Sequence, residues 1–143
     1  MCNALGQAHS ILQKWLTQHP AGFPPVVIQI TDGESTDGEP TNAMQAIKDL
    51  NSQDGNILLF NVHISSDPNA TPIAFPDSSS QLPNAPAKTL FEGSSVLTPF
   101  MRSAANSQHG LSLSDGARGF VLNGDMVLVV QALDIGTRPS NLR

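Results

Sequence analysis

PPVVIQITDGESTDGEP, residues 24–40, is the stretch that decides the fold. Residues 26–31 form a β-branched run with little alternation of apolar and polar side chains, which is typical of a strand covered on both faces of a parallel sheet. The run stops at a polar loop rich in turn-forming residues. A second apolar run at 57–64 follows a helical pattern at 43–52. We therefore predict a strand–helix–strand unit with parallel strands.

The flanking sequence extends this unit into an α/β pattern. Apolar residues recur at helical spacing over 3–18, 95–106 and 124–135, and a short third strand is predicted at 119–122. Predicted helix boundaries are Thr41 or Asn42 as the cap of helix 43–52, Asn123 as the cap of the last helix, and Gly136 as its end. Residues 66–88 read as a long Pro/Ser-rich loop. The fold class that follows is an α/β, Rossmann-like fold with a mostly parallel sheet flanked by helices.

Composition excludes several classes of partner. The net charge is −5, and the seven Lys and Arg residues form no basic cluster, so neither nucleic acid nor an anionic membrane surface is expected to bind. The longest apolar stretches, such as 126–130, are too short to span a bilayer. Cys2 is the single cysteine, and no signal-peptide pattern is seen, so we expect a cytoplasmic location.

Asp32 is the strongest candidate for chemistry. Ligands of open parallel sheets bind at the carboxyl ends of the strands, and a carboxylate placed there suits a hard cation such as Mg²⁺. The alternative is that Asp32 and Gly33 simply make a turn. An EF-hand loop is excluded, because Asp37 stands where that loop needs glycine and Ala43 where it needs glutamate.

An enzyme has little support from the sequence. The histidines lie in no metal-binding spacing, and His63, inside an apolar strand, is expected to be a hydrogen-bonded core residue. No phosphate-binding glycine loop and no G-x-S-x-G motif occurs. The alternative function is a magnesium-dependent phosphoryl-transfer or hydrolytic enzyme using Asp32, which needs a second carboxylate, and Asp37 is the nearby candidate.

Four segments together resemble a known family. The strand and loop at 25–34 with its T-D-G sequence, the strand at 59–64, and the segments 116–123 and 133–138 resemble von Willebrand factor type A domains of the bacterial cytoplasmic type. The resemblance covers nearly the whole chain. It implies a metal-ion-dependent adhesion site, in which Mg²⁺ is held by a D-x-S-x-S loop, a threonine and an aspartate.

Only the aspartate of that site can be carried over, and it is Asp32. No D-x-S-x-S occurs in the chain, and the nearest look-alike, at 77–80, lies in the wrong loop. The resemblance thus implies that residues 1–143 are the C-terminal half of the domain, without its N-terminal strands and with an incomplete metal site. The absent first strand would leave the strand at 26–31 with an unpaired edge that favours pairing with another chain or self-association.

The predicted function is a metal-ion-dependent protein-binding module that takes Mg²⁺ or Mn²⁺. A carboxylate of the partner protein would complete the coordination of the cation. Asp32 is expected to act mainly through a bound water, while Thr31, Gly33 and Glu34 shape the rim. The alternative is that Glu34 has no role at the rim and is simply a solvated charge in the loop.

Overall fold

The structure is a computed structural model that describes residues 1–32, 34–64, 69 and 71–138. In chain order the elements of this part are α1 (Cys2–Gln18), β1 (Val26–Thr31), α2 (Thr41–Asp49), β2 (Asn51–Ser52), β3 (Gly55–Asn56), β4 (Leu58–His63), β5 (Ile73–Ala74), α3 (Ala85–Gly93), α4 (Pro99–His109), β6 (Phe120–Leu122) and α5 (Met126–Thr137).

The main sheet has the strand order β1-β4-β6-β5. β1, β4 and β6 are parallel, and β5 is antiparallel to β6. β1 and β4 pair over their whole length, from Val26 opposite Leu58 to Thr31 opposite His63. The prediction of an α/β, Rossmann-like fold with a mostly parallel sheet flanked by helices agrees with this arrangement. β2 and β3 form a separate small hairpin.

Helices cover both faces of the sheet because successive side chains of a strand point to opposite sides. Leu59 of β4 belongs to one apolar cluster, with side chains from α1, α2 and α3. Phe60 and Val62 belong to the other, with side chains from α4 and α5. Five of the six residues of β4 are buried, so this strand forms the centre of the core.

The buried amide of Asn61 lies in the middle of β4 and is fully hydrogen-bonded. The Asn61 amide nitrogen donates to the Leu90 carbonyl (2.9 Å) and to Ser94 Oγ (3.0 Å). Its Oδ1 accepts from Gln29 Nε2 at 2.9 Å. A buried amide is tolerated only when its donors and acceptors are satisfied, and here they join β1, β4 and the end of α3.

The predicted loop at 66–88 is wrong in part. Residues 66–68 and 70 lie outside the described residues, but the rest includes β5, a 3₁₀ turn at Ser79–Gln81 and the first turn of α3. Asn84 caps α3 by accepting from the Ala87 N–H at 2.9 Å, and Pro86 lies in its first turn, where a missing N–H costs nothing. The helix predicted at 95–106 begins later, at Pro99.

Two predicted caps also differ from the structure. α2 begins at Thr41 and ends at Asp49, and Leu50 continues in an extended conformation. α5 is capped by Asp125, whose side chain accepts from the Leu128 N–H at 2.9 Å. Asn123 instead has a positive φ of 48°, which takes it out of the capping conformation. The helix continues past Gly136 to Thr137.

None of the helices in the described part of the chain has the length and apolarity needed to cross a membrane.

Candidate functional site

The candidate site lies at the edge of the sheet where the parallel strands β1, β4 and β6 end. Asp32 follows β1 directly and is exposed, as expected for a residue that meets a ligand at this edge. Thr31 and His63, the last residues of their strands, are register neighbours. Glu34 is also exposed, whereas Gly33, expected at the rim, lies outside the described residues.

Asp37 has a different role from the one that the enzyme alternative needs. Its Oδ1 accepts from the Cys2 N–H and from the N-terminal amine of Met1, each at 2.8 Å, and its Oδ2 accepts from the Asn3 N–H at 2.8 Å. The hydrogen bond from Asn3, followed by those from the amine and Cys2, holds the pKa of the Asp37 carboxyl well below its usual range. The carboxylate therefore caps the positive end of α1.

Glu39 anchors the far end of the same loop to α2. Its carboxylate accepts from the Thr41 hydroxyl at 2.6 Å and from the Thr41 N–H at 3.1 Å. The polar loop at 32–40 is thus fastened to two helices, by Asp37 to α1 and by Glu39 to α2. Asp32 and Glu34 remain at the sheet edge.

A groove of about 340 Å³ lies between this loop and the start of α3. Glu34 and Glu39 contribute carboxylates to its wall. Its remaining lining includes apolar residues of the loop, of α3 and of the residue before α1: Pro40, Ala85, Pro86, Leu90 and Met1. The groove could not be predicted from the sequence, because it depends on α3, whose first turn falls in the predicted loop at 66–88 and whose remainder carries no prediction.

His63 is the functional candidate that sequence reasoning undervalued. It is only 6% exposed, as predicted for a core histidine, but its Nδ1 has no hydrogen-bond partner in the described residues. Burial lowers the pKa of His63, while the negative charge of Asp32 acts in the opposite direction. The two apolar runs in the sequence indicated parallel strands, but only the register of the structure places His63 beside Thr31, which Asp32 follows.

The D-S-S-S look-alike lies far from Asp32. β5 runs antiparallel to β6, so the chain that leaves it reaches the opposite end of the sheet. There Asp77 accepts a hydrogen bond from the Ser114 hydroxyl at 2.6 Å, and Ser78 caps the 3₁₀ turn. The structure agrees with its exclusion from the site.

The described residues fit a divalent cation only in part. No group of three or more His, Cys, Asp or Glu side chains within them is arranged to hold a metal ion. Asp32 supplies one exposed carboxylate, and Mg²⁺ sites use one or two, with the remaining ligands from water or from a bound molecule. Within the described residues this edge therefore offers one carboxylate, and the binding of Mg²⁺ at Asp32 stays a prediction.

Comparison of the chain with models of protein families, with curated proteins and with solved structures gives no match. The resemblance to von Willebrand factor type A domains accordingly depends on the sequence segments quoted above.

Proposed function

We propose that the chain is a metal-ion-dependent, adhesion-type protein-binding module of the von Willebrand factor A type, with an incomplete metal site and a cytoplasmic location. The observation that carries the proposal is the exposed carboxylate of Asp32, directly beyond the carboxyl end of β1. A ligand approaching the sheet at this edge meets that carboxylate first.

The charge of the loop makes binding of an acidic partner dependent on a cation. Four carboxylates occur between residues 32 and 39, in a chain of net charge −5. A partner's carboxylate about 4 Å from one of them is repelled by roughly 1 kcal/mol in water and more at a lower local dielectric. Mg²⁺ or Mn²⁺ held by Asp32 would reverse that repulsion and accept the partner's oxygen as a ligand.

The groove beside the loop supplies the rest of the contact surface. Its volume of about 340 Å³ is at the lower end of the range for pockets that bind small molecules or single side chains. Glu34 lines the groove and is predicted to shape the rim near Asp32 as well. A partner whose carboxylate reaches the cation would place a neighbouring apolar side chain against Pro86 and Leu90.

The enzyme alternative receives no support from Asp37. Phosphoryl transfer or hydrolysis at Asp32 needs a second carboxylate that converges on the same atoms. Both oxygens of Asp37 accept hydrogen bonds from the start of α1. The alternative stays a prediction, to be tested by measuring phosphatase and ATPase turnover.

The proposal is tested by titrating the chain with Mn²⁺ and Mg²⁺ and following calorimetric heat and Mn²⁺-induced broadening of amide resonances. We expect weak binding, with a dissociation constant on the order of 1 mM, as for sites with few protein ligands. Asp32→Ala should weaken it at least tenfold. Asp54→Ala, which removes another exposed carboxylate in the β2–β3 turn, should leave it unchanged.

A second arm addresses protein binding. The immobilised chain should retain its partner protein in a buffer with Mg²⁺ but not in a buffer with a chelator. The Asp32→Ala variant should retain no partner protein in either buffer. The proposal would be contradicted if the Asp32→Ala variant still binds the metal ion, or if the chelator does not reduce retention of the partner protein.

A further inference from the structure

The outer edge of β1 has the properties of an interaction surface. β1 stands at the end of the sheet, and no strand of the described residues pairs with its outer side. Exposed edges are normally protected by charged residues, proline or a bulge. Val26–Thr31 has none of these, and Ile30 is 52% exposed.

The direction of the backbone groups shows which residues this edge offers. The Thr31 carbonyl accepts from the Ile64 N–H at 2.8 Å, so Thr31 faces β4. In a parallel pair, alternate residues face the partner strand. Val26, Ile28 and Ile30 therefore direct their N–H and C=O groups outward.

An apolar stripe on α5 lies on the same side of the sheet as Ile28 and Ile30. A Cβ on Gly136 would stand 3.1 Å from the Phe60 side chain and 3.4 Å from the Ile28 side chain, so the C-terminal end of α5 packs over β4 and β1. A helix that is apolar around most of its surface is normally buried. The outward side chains of α5 are nevertheless between 38% and 76% exposed: Met126, Val127, Val130 and Leu133.

We propose that this surface binds a second copy of the chain, with β1 antiparallel to its counterpart about a two-fold axis through Ile28. In this register Ile28 faces Ile28 of the second copy, and Val26 faces Ile30. Each outward N–H and C=O then has a partner. Pro25 falls opposite Thr31 at a position that needs no N–H, and Pro24 ends the ladder.

Charge and symmetry favour a second copy over an unrelated strand. The net charge of −5 opposes association of two chains, but β1 carries no charged residue, so no like charges meet across the axis. The two-fold axis is perpendicular to the sheet, so the α5 helices of both copies lie side by side on one face. Their exposed stripes would cover each other.

The size of the surface sets the expected affinity. The strand edge is about 20 Å long, and the edge plus one helix is about 20 Å high. This gives on the order of 400 Å² per chain, about half of what each partner buries in a standard interface. We therefore expect a dissociable dimer, with a dissociation constant in the micromolar range or weaker.

Sedimentation velocity of the full chain, from low micromolar to about 1 mM, tests the proposal. We expect a reversible monomer–dimer equilibrium that chelator does not change, since it is independent of the cation at Asp32. Ile30→Lys should weaken the dimer at least tenfold. Ile11→Lys is the matched control, because Ile11 is 67% exposed on α1, which packs on the other face.

Amide exchange supplies a measurement that does not depend on a variant. Raising the chain concentration should slow exchange at Ile28 and Ile30 and leave Gln29, which faces β4, unchanged. A monomer at all concentrations, an assembly that grows without limit, or a dimer that Ile11→Lys weakens and Ile30→Lys does not would overturn the proposal.

Discussion

β1 and β4 have the same length, pair residue for residue and are both rich in aliphatic side chains, yet their surroundings differ. Ile30 and Val62 are register partners, but the first is 52% exposed and the second 1%. β4 has a strand on each side, and β1 has one on a single side in the described residues. An apolar run in the sequence indicates that both faces of a strand are covered. It does not indicate which strands pair with that strand within the sheet.

The largest expected effect is the loss of a core side chain of β4, compared with the loss of an edge side chain of β1. Phe60→Ala should lower the free energy of unfolding by about 3–5 kcal/mol, because it removes a buried ring that packs against Gly119 and Gly136. Ile30→Ala, on the edge strand, should cost less than about 1 kcal/mol. Urea unfolding at low protein concentration measures both changes. Equal losses would show that β1 is as deeply buried as β4.

A second prediction concerns the amide that links the two strands. Asn61→Ala should cost roughly 2–3 kcal/mol, since it removes the buried hydrogen bonds from the Asn61 amide to the Leu90 carbonyl and to Ser94 Oγ. Gln29→Ala removes the half-buried amide that donates to Asn61 Oδ1, and it should cost about 1 kcal/mol. Thermal or urea unfolding of the two variants checks the order, and the reverse order would be inconsistent with a network centred on Asn61.

A third prediction uses the end of β4. The pKa of His63 is lowered by burial, so near pH 6 the unfolded chain binds a proton there that the folded chain does not. Stability from this group is complete above the ordinary histidine pKa of about 6.5 and is lost as the pH falls below it. His63→Gln should flatten the pH dependence of the unfolding free energy between about pH 7 and 5. An unchanged slope would mean that another group is responsible.

The smallest expected effect concerns the end of β1. Asp32→Ala should change the free energy of unfolding by less than about 0.5 kcal/mol, because the side chain is exposed. It should also lower the pKa of His63 further, since the charge of Asp32 opposes the effect of burial. A histidine titration by NMR measures this change. A rise in the His63 pKa would contradict it.

The elements with strong periodic patterns could be predicted from the sequence. The bounds of β1 are those of the apolar run, and α1 differs by one residue from the predicted helix. In both segments the local pattern and the tertiary environment favour the same structure. The sequence could not show the order of strands in the sheet, because pairing is decided over long separations.

α3 was missed because its proline and serine neighbours are also loop formers. Asn84 and Pro86 interrupt a periodic pattern, but at the first turn of a helix they are favourable. The predicted cap of α5, Asn123, is likewise wrong, because Asp125 caps the helix and both residue types cap helices well. Local chemistry alone does not distinguish a turn from a helix start.

The position of Asp32 after β1 could be predicted from the sequence, while its role as a metal ligand stays a prediction. The location of Asp32 follows from the end of one strand, which is a local feature. The role of Asp37 depends on Cys2 and Asn3, about 35 residues away in the chain, and no local pattern encodes that contact. The proximity of His63 to Asp32 required the register of two strands.

The anchoring of the loop at Asp37 and Glu39 has a consequence for recognition. Ordering a flexible segment on binding costs conformational entropy, which reduces affinity. Here the second half of the loop is already fixed to α1 and α2 before any partner arrives. The proposed site is thus preorganised on that side, and a partner bound at Asp32 as proposed would lose less entropy than one that must order the whole loop.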